Sequence, residues 1–335
     1  MSSINSQINL PENINNADGE VRKVGVEIEF AGILPVQIAK TITEHFGGHV
    51  SWTSPFELTV EDTQLGTFIV EMDSDFVKRH GKGLPMEVHA EDAGADMELQ
   101  LMQWLSRVVG ELVPWELVTA PIPLDQLHLL LPLLEDLRAQ GAKGTRHAVQ
   151  YAFGVHLNPE LPALDANTIL RHLRAYFCLY EAIAALSKID LARKLTPYIK
   201  HFDKKYIAHV VNPDYQPTID QLIDDYLAAN PTRNRSLDML PLFAHIDERR
   251  VKAVVSDSRV KSRPTFHYRL PNCDIDNKEW NLHQPWNHWV KVETLASDLS
   301  RLNASCEIYA GELKRITHSF EKRWSEQAMD LFNAL

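Results

Sequence analysis

Residues 22–30, RKVGVEIEF, alternate in polarity, with Val24, Val26, Ile28 and Phe30 on one side and Glu27 and Glu29 on the other. A period of two predicts a β-strand with one buried face. The same alternation predicts strands over 66–73 (GTFIVEMD), 115–120, 147–158 (HAVQYAFGVHLN) and 264–271 (PTFHYRLP), with short β-rich stretches near 50–53 and 56–61. Helical spacing appears over 35–46, which has Pro35 in its first turn and Gly47-Gly48 behind it. It recurs over 95–110, over a leucine-rich run 124–140 stopped at Gly141, and from an Asp165 cap towards Lys188. Residues 286–302 and 304–335 read as two further helices, and 190–260 as weaker helix and loop.

Strands alternate with helices, yet none is followed by the glycine-rich phosphate loop of a Rossmann or P-loop fold. The pattern therefore predicts an α+β fold with a mostly antiparallel sheet, helices packed on one face and a helical C-terminal segment.

The 335 residues are 44% hydrophobic and 24% charged, an ordinary globular composition, with a formal net charge of −11. An acidic surface argues against nucleic acid or an anionic membrane as the main partner. The leader, residues 1–20, is polar, Asn-rich and expected to be flexible, without the basic and apolar regions of a secretory signal. Cys178, Cys273 and Cys306 form no metal-ligand spacing and suggest reduced thiols, so a cytoplasmic enzyme is expected.

The polar faces carry the candidate chemistry. Glu27 and Glu29 share one side of their strand, about 7 Å apart along it. Like charges that close repel unless a cation or water lies between them, and magnesium is commonly held by one or two carboxylates plus substrate phosphates. For one strand alone a solvent-facing edge explains the pattern equally well. The design recurs, however: Glu71 and Asp73, Glu116, His156 and Asn158, and His267 and Arg269 each alternate with apolar residues. As a set, Glu27, Glu29, Glu116, His156, His267 and Arg269 are groups that bind metal and phosphate.

Five segments in order, GVEIEF (25–30), DSD (73–75), ELVTAP (116–121), GVHLN (154–158) and YRLPN (268–272), with NRSLDM (234–239) before the last, resemble the amidoligase family. That family belongs with glutamine synthetase and glutamate–cysteine ligase, and the likeness covers roughly residues 22–272. It implies a curved antiparallel sheet of glutamine-synthetase-like type, with ATP and magnesium as cofactors and a carboxylate and an amine, small molecules or peptides, as substrates. It implies metal ligation by Glu27, Glu29 and Glu116, with His156 beside the metals or the ATP phosphates. Arg269 would brace the transferring phosphate, and Asp73 would bind or deprotonate the amine. Relatives carry D-G-S where this chain has Asp73-Ser74-Asp75, and Glu where it has His267. Imidazole suits magnesium less well than carboxylate does, which leaves one metal site weakened, holding manganese or absent, and His267 stands as either a metal ligand or a phosphate donor.

The resemblance divides the chain into the leader, a catalytic domain over 21–275 and a C-terminal helical extension over 276–335. Forming an acyl phosphate brings polyanionic ATP to a carboxylate, so further cations are needed. Arg233, Arg235, Lys261 and Arg263 are the candidates, and 259–264 (RVKSRP) reads equally as a basic loop or a solvated turn. The same residues also fit a metal-dependent hydrolase or phosphotransferase, or a catalytically degenerate relative that binds a nucleotide or metabolite. The sequence leaves the substrates and the oligomeric state open.

Overall fold

Burial along the first strand follows its sequence alternation: Val24, Val26, Ile28 and Phe30 are buried, and the residues between them less so. This computed structural model describes residues 7–72, 97, 113–145, 153–189, 200–314 and 320–335. Among them are nine β-strands and ten α-helices, an α+β chain whose strand ladders run antiparallel. The chain divides into two compact units. One comprises Met1–Val24, Leu157–Pro271 and His283–Leu335; the other comprises Gly25–His156 and Asn272–Leu282.

The second unit holds β1 (Lys23–Phe30) from Gly25 onward, β2 (His49–Ser54), β3 (Glu57–Thr63), β4 (Gly66–Met72) and β5 (Trp115–Thr119), joined in the order β2-β3-β4-β5-β1. β2 ends this open ladder, and β6 (Ile122–Pro123) pairs with β1 off its path. Register puts Ile28 opposite Leu117, Leu117 opposite Val70 and Val70 opposite Leu58, which makes one continuous apolar face. Helix α1 (Pro35–Phe46) packs on β3 and β4 through Ile38, Ile42 and Phe46, and the Phe46 ring stacks on Phe68 at 5.5 Å. Gly48, at φ 93°, turns the chain from α1 into β2 in a left-handed conformation, and a side chain there would meet the Glu61 carbonyl.

The leucine-rich run is a 3₁₀ turn over Leu124–Leu129 followed by α2 (Leu130–Ala139), rather than one continuous helix. Pro132 supplies the reason. It has no N–H for an α-helical bond back to His128, so the α-helix begins where the proline falls in its first turn.

In the first unit, β7 (Val155–Pro159, here from Leu157), β9 (His267–Tyr268) and β8 (Leu237–Asp238) form a short ladder. The strand expected over 264–271 keeps only two residues in β9, because Pro264 and Pro271 lack N–H groups. Its flanks pair irregularly: Phe266 N–H donates to the Pro159 carbonyl and Arg269 N–H to the Ser236 carbonyl.

The long α3 (Ala166–Leu186), capped by Asp165, contacts α8 (His283–Ser297), α9 (Leu299–Lys314) and α10 (Phe320–Ala334). Shorter helices α4 (Lys204–Val210), α5 (Ile219–Ala229), α6 (Leu240–Ile246) and α7 (Glu248–Val254) fill the 200–260 region. Among the described residues the C-terminal segment shows three helices where the sequence suggested two. Asp298 breaks the first from the second, its carboxylate accepting from Arg301 N–H at 3.0 Å. Apart from Met97, the helix expected over 95–110 lies outside the described residues, as do residues 147–152 of the expected strand.

Arg22 anchors the N-terminal segment of the first unit. Its guanidinium donates to both Glu293 oxygens at 2.7 and 2.8 Å and to the carbonyls of Asn13 and Glu160. Trp289 Nε1–H adds a third bond to Glu293. All three cysteines are buried; the sulfurs of Cys178 and Cys306 lie 3.9 Å apart in the first unit, and Cys273 belongs to the second.

Two buried histidines make this unit sensitive to acid. His201 stacks on Tyr180 at 3.5 Å, neither ring nitrogen has a hydrogen-bond partner among the described residues, and burial followed by the Arg235 charge pushes its pKa down to about 3. Burial, with His283 and Lys291 nearby, lowers His288 to about 4. Both native pKa values lie below the unfolded one, so the unfolded chain binds more protons under pH 6.5. Stability should fall as pH drops from 6.5 towards 4, by roughly 1.4 kcal/mol per pH unit for each histidine. Urea unfolding across this range checks it, and His201→Phe should flatten the slope.

Candidate metal centre

The polar face of the second unit's sheet opposes the face covered by α1. Register there sets Glu29 directly across from Glu116, Glu116 across from Glu71, and Glu71 across from Glu57. Four carboxylates thus stand in a row across neighbouring strands. Like charges placed opposite one another destabilise a sheet unless cations or hydrogen bonds offset them.

At one end of the row the chemistry diversifies. Glu29 is tied by both its backbone and its side chain: its N–H donates to the Gly154 carbonyl at 3.0 Å, and its Oε2 accepts from the Gly154 N–H at 2.7 Å. The other oxygen, Oε1, lies 3.9 Å from His156 Nε2. The opposite ring nitrogen, Nδ1, lies 2.9 Å from Glu27 Oε2. Ligand atoms of Glu29, Glu116 and His156 all fall within 4.8 Å of one another. The His156 side chain is 7% exposed and those of Glu27 and Glu29 are 16% and 27% exposed, so the donors sit in a low-dielectric setting that is still open to a ligand.

The three donors suit a divalent cation. Two bonds of about 2.1 Å span roughly 4.2 Å across an ion, so a small side-chain adjustment closes Glu29, Glu116 and His156 around one. Two carboxylates favour a hard cation, and the imidazole moves the preference from magnesium towards manganese. Cys273 stays outside this donor set: burial, reinforced by the Glu29 charge, raises its thiol pKa well above the usual range, so it remains protonated.

A family model described as "Putative amidoligase enzyme" matches residues 20–291. The chain belongs to the amidoligase family. The chain matches neither a curated protein nor a solved structure. Membership makes it an enzyme of a ligase family, and no helix among the described residues is long and apolar enough to cross a membrane.

Of the other expected site residues of this amidoligase-family chain, Arg233, Arg235, Lys261, Arg263, His267 and Arg269 lie in its first unit. His267 sits on β9 opposite Asp238 on β8, with Nδ1 3.6 Å from the Asp238 carboxylate, and both side chains are almost fully buried. Sequence reasoning gave Asp238 no role, although it stands inside the NRSLDM segment. Arg269 Nη1 donates to the Arg233 carbonyl at 2.7 Å. Burial, and then the charges of Arg269 and Arg259, lower the Arg233 pKa, which marks these three guanidinium groups as neighbours. Arg259 in turn pairs with Asp257, holding that carboxyl at about 2.

Arg263 Nη2 donates to Asn158 Oδ1 at 2.6 Å, and Lys261 is exposed. Arg235 faces inward, with Nη1 donating to the His201 carbonyl at 3.0 Å and its guanidinium over the Phe202 ring. Asp73 lies outside the described residues. The structure therefore brings Glu27, Glu29, Glu116 and His156 together in one unit, and gathers Arg233 and Arg269 in the other.

Proposed function

We propose that this amidoligase-family chain joins a carboxylate to an amine with the cleavage of ATP, through an acyl phosphate, on a sheet of glutamine-synthetase-like type. The observation that carries this reading is the convergence of Glu29, Glu116 and His156 within 4.8 Å in a chain whose family is one of ligases.

A carboxylate is a poor acyl donor because its charge is delocalised and its oxygen is a poor leaving group. In the first step a carboxylate oxygen of the substrate attacks the γ-phosphorus and ADP leaves. In the second the amine nitrogen attacks the acyl carbon, phosphate leaves with the electron pair of the C–O bond, and the nitrogen gives up a proton. Both steps crowd negative charge together. A bound magnesium or manganese ion would neutralise phosphate oxygens and draw ATP and the carboxylate into one geometry.

The protein's own residues serve this chemistry in separate ways. Glu29, Glu116 and His156 would hold the cation. Arg269 and Arg233, with Arg259, Arg263 and Lys261 in the same segments, offer positive charge to a triphosphate. Asp73, from its place in the family's motif, takes the amine proton. ATP and divalent cations at working concentration point to a cytoplasmic setting.

The test is release of ADP and phosphate by the purified chain with magnesium or manganese, against a panel of amino acids, peptides and amines. ADP release is expected only when a carboxylate and an amine are both present, and chelation should abolish it. Release of ADP and phosphate from ATP that needs metal but neither carboxylate nor amine would instead make the protein a hydrolase.

A further inference from the structure

We propose that Cys178 and Cys306 are a reversible disulfide site, oxidised by a peroxide and reduced again by a small thiol, that ties α3 to α9 within the first unit. The inference is independent of the metal centre and of the ligase reading.

Placement carries it. Cys178 lies inside α3 and Cys306 inside α9, two helices in contact with one another. Both residues are buried, and their sulfurs lie 3.9 Å apart. A disulfide bond is about 2.05 Å long, so each sulfur has to move by about 1 Å. Enclosure decides the partner. A thiol sealed among packed side chains meets its sulfur neighbour before any other molecule, an advantage of proximity. Cys273, the remaining cysteine of the sequence, belongs to the second unit.

The charge beside the pair supplies reactivity. Arg174 stands one helical turn before Cys178 on the same side of α3. Its guanidinium donates to the carbonyls of Val210, Asn212 and Tyr215, each at 2.8 Å. Carbonyls satisfy these donors without cancelling the charge, and a cation next to a thiol favours the thiolate. The hydrogen bond from Cys178, aided by Arg174 against burial, lowers the Cys306 thiol; the same bond, together with burial, raises that of Cys178. Cys306 is therefore the sulfur that ionises first, and Cys178 keeps its proton.

The chemistry closes in two steps. The Cys306 thiolate attacks one oxygen of hydrogen peroxide: the S–O bond forms, the O–O bond breaks, and hydroxide leaves to take up the thiol proton as water. The Cys178 sulfur then attacks the Cys306 sulfur: the S–S bond forms, the S–O bond breaks, and the oxygen leaves with the Cys178 proton as a second water. The two sulfurs together lose two electrons, which the peroxide gains. A small thiol reverses the bond by exchange and ends as its own disulfide. Such a transient pair agrees with thiols that are reduced at rest. Tyr176, two residues before Cys178, packs edge-on against Tyr268 of β9, so the tie bears on the helix behind the segment that carries Arg269.

The test treats the native full chain, reduced and freed of reductant, with hydrogen peroxide. The chain is then denatured in an alkylating reagent, digested and mapped by mass spectrometry. A Cys178–Cys306 cross-linked peptide, lighter by two hydrogen atoms than the two peptides together, is expected to dominate. Cys273 should be recovered alkylated, and dithiothreitol should abolish the cross-link. In Cys178→Ser, Cys306 should advance to sulfinic and sulfonic acids instead. The oxidised native chain should melt above the reduced one, a shift that Cys178→Ser should lack. Cross-links between chains or to Cys273, or Cys306 over-oxidised in the native chain while Cys178 stays reduced, would overturn the assignment. So would both thiols recovered reduced after exposure that fully oxidises free cysteine in the same tube. A lower melting temperature on oxidation would show that the bond forms only by distorting the helices, and would equally sink a native pair.

Discussion

Glu29→Gln is expected to remove ATP turnover almost completely, by at least 10²–10³-fold, about the loss seen when one strong electrostatic stabiliser is taken from an active site. The substitution deletes a negative charge from the donor set while keeping the shape of the side chain. The bond that seats the residue, Gly154 N–H to Oε2 at 2.7 Å, survives because an amide oxygen accepts it equally well. The variant should therefore fold normally and melt close to the native temperature, so the lost activity reads as chemistry. Arg269→Ala is expected to cost turnover on the same scale. Its backbone bond to Ser236 is independent of the side chain, while the contact from Nη1 to the Arg233 carbonyl is given up. Full turnover in either variant would refute the site assignment.

The second large effect concerns stability. Arg22 and Glu293 form a two-pronged ion pair with side chains only 1% and 4% exposed. Removing one partner from such a pair leaves a buried charge without compensation, which costs roughly 3–5 kcal/mol. Arg22→Ala should lower the unfolding free energy by about that amount. The carbonyls of Asn13 and Glu160, which the same guanidinium bonds, add to the loss. Glu293→Leu should cost about as much, whereas Arg22→Met combined with Glu293→Leu should cost clearly less than the sum of the two single changes. Urea unfolding of the two single variants and the double variant measures the coupling. Additive losses would mean that the pair does not act as a unit.

Local pattern carried much of the fold. The period of two in VGVEIEF and GTFIVEM separated buried from less buried positions, because one-sided burial leaves its mark on every second residue. The Pro35–Phe46 helix was legible from its proline and its glycine stop. What the sequence could not show was register. Glu29 meeting Glu116, and Glu116 meeting Glu71, depends on which strands pair and in what phase, and no local period encodes that. The Glu27–His156 contact joins residues 129 apart in the chain and was invisible for the same reason. Two misreadings had local causes within reach. Pro132 forbids the continuous leucine-rich helix, and Asp298 is an N-cap hidden in what looked like a single run. Asp238 escaped notice because a lone acid beside apolar residues resembles a surface position until β8 sets it against His267.

The three hidden thiols give the two units separate clocks. A maleimide in solution cannot label a sulfur sealed in packed side chains, so each mass increment records an episode of local opening. Cys273 times such breathing around residues 272–282, while Cys178 and Cys306 time the parting of α3 from α9. Labelling the native chain in short pulses would show which half loosens first, with no dye, tag or substitution introduced.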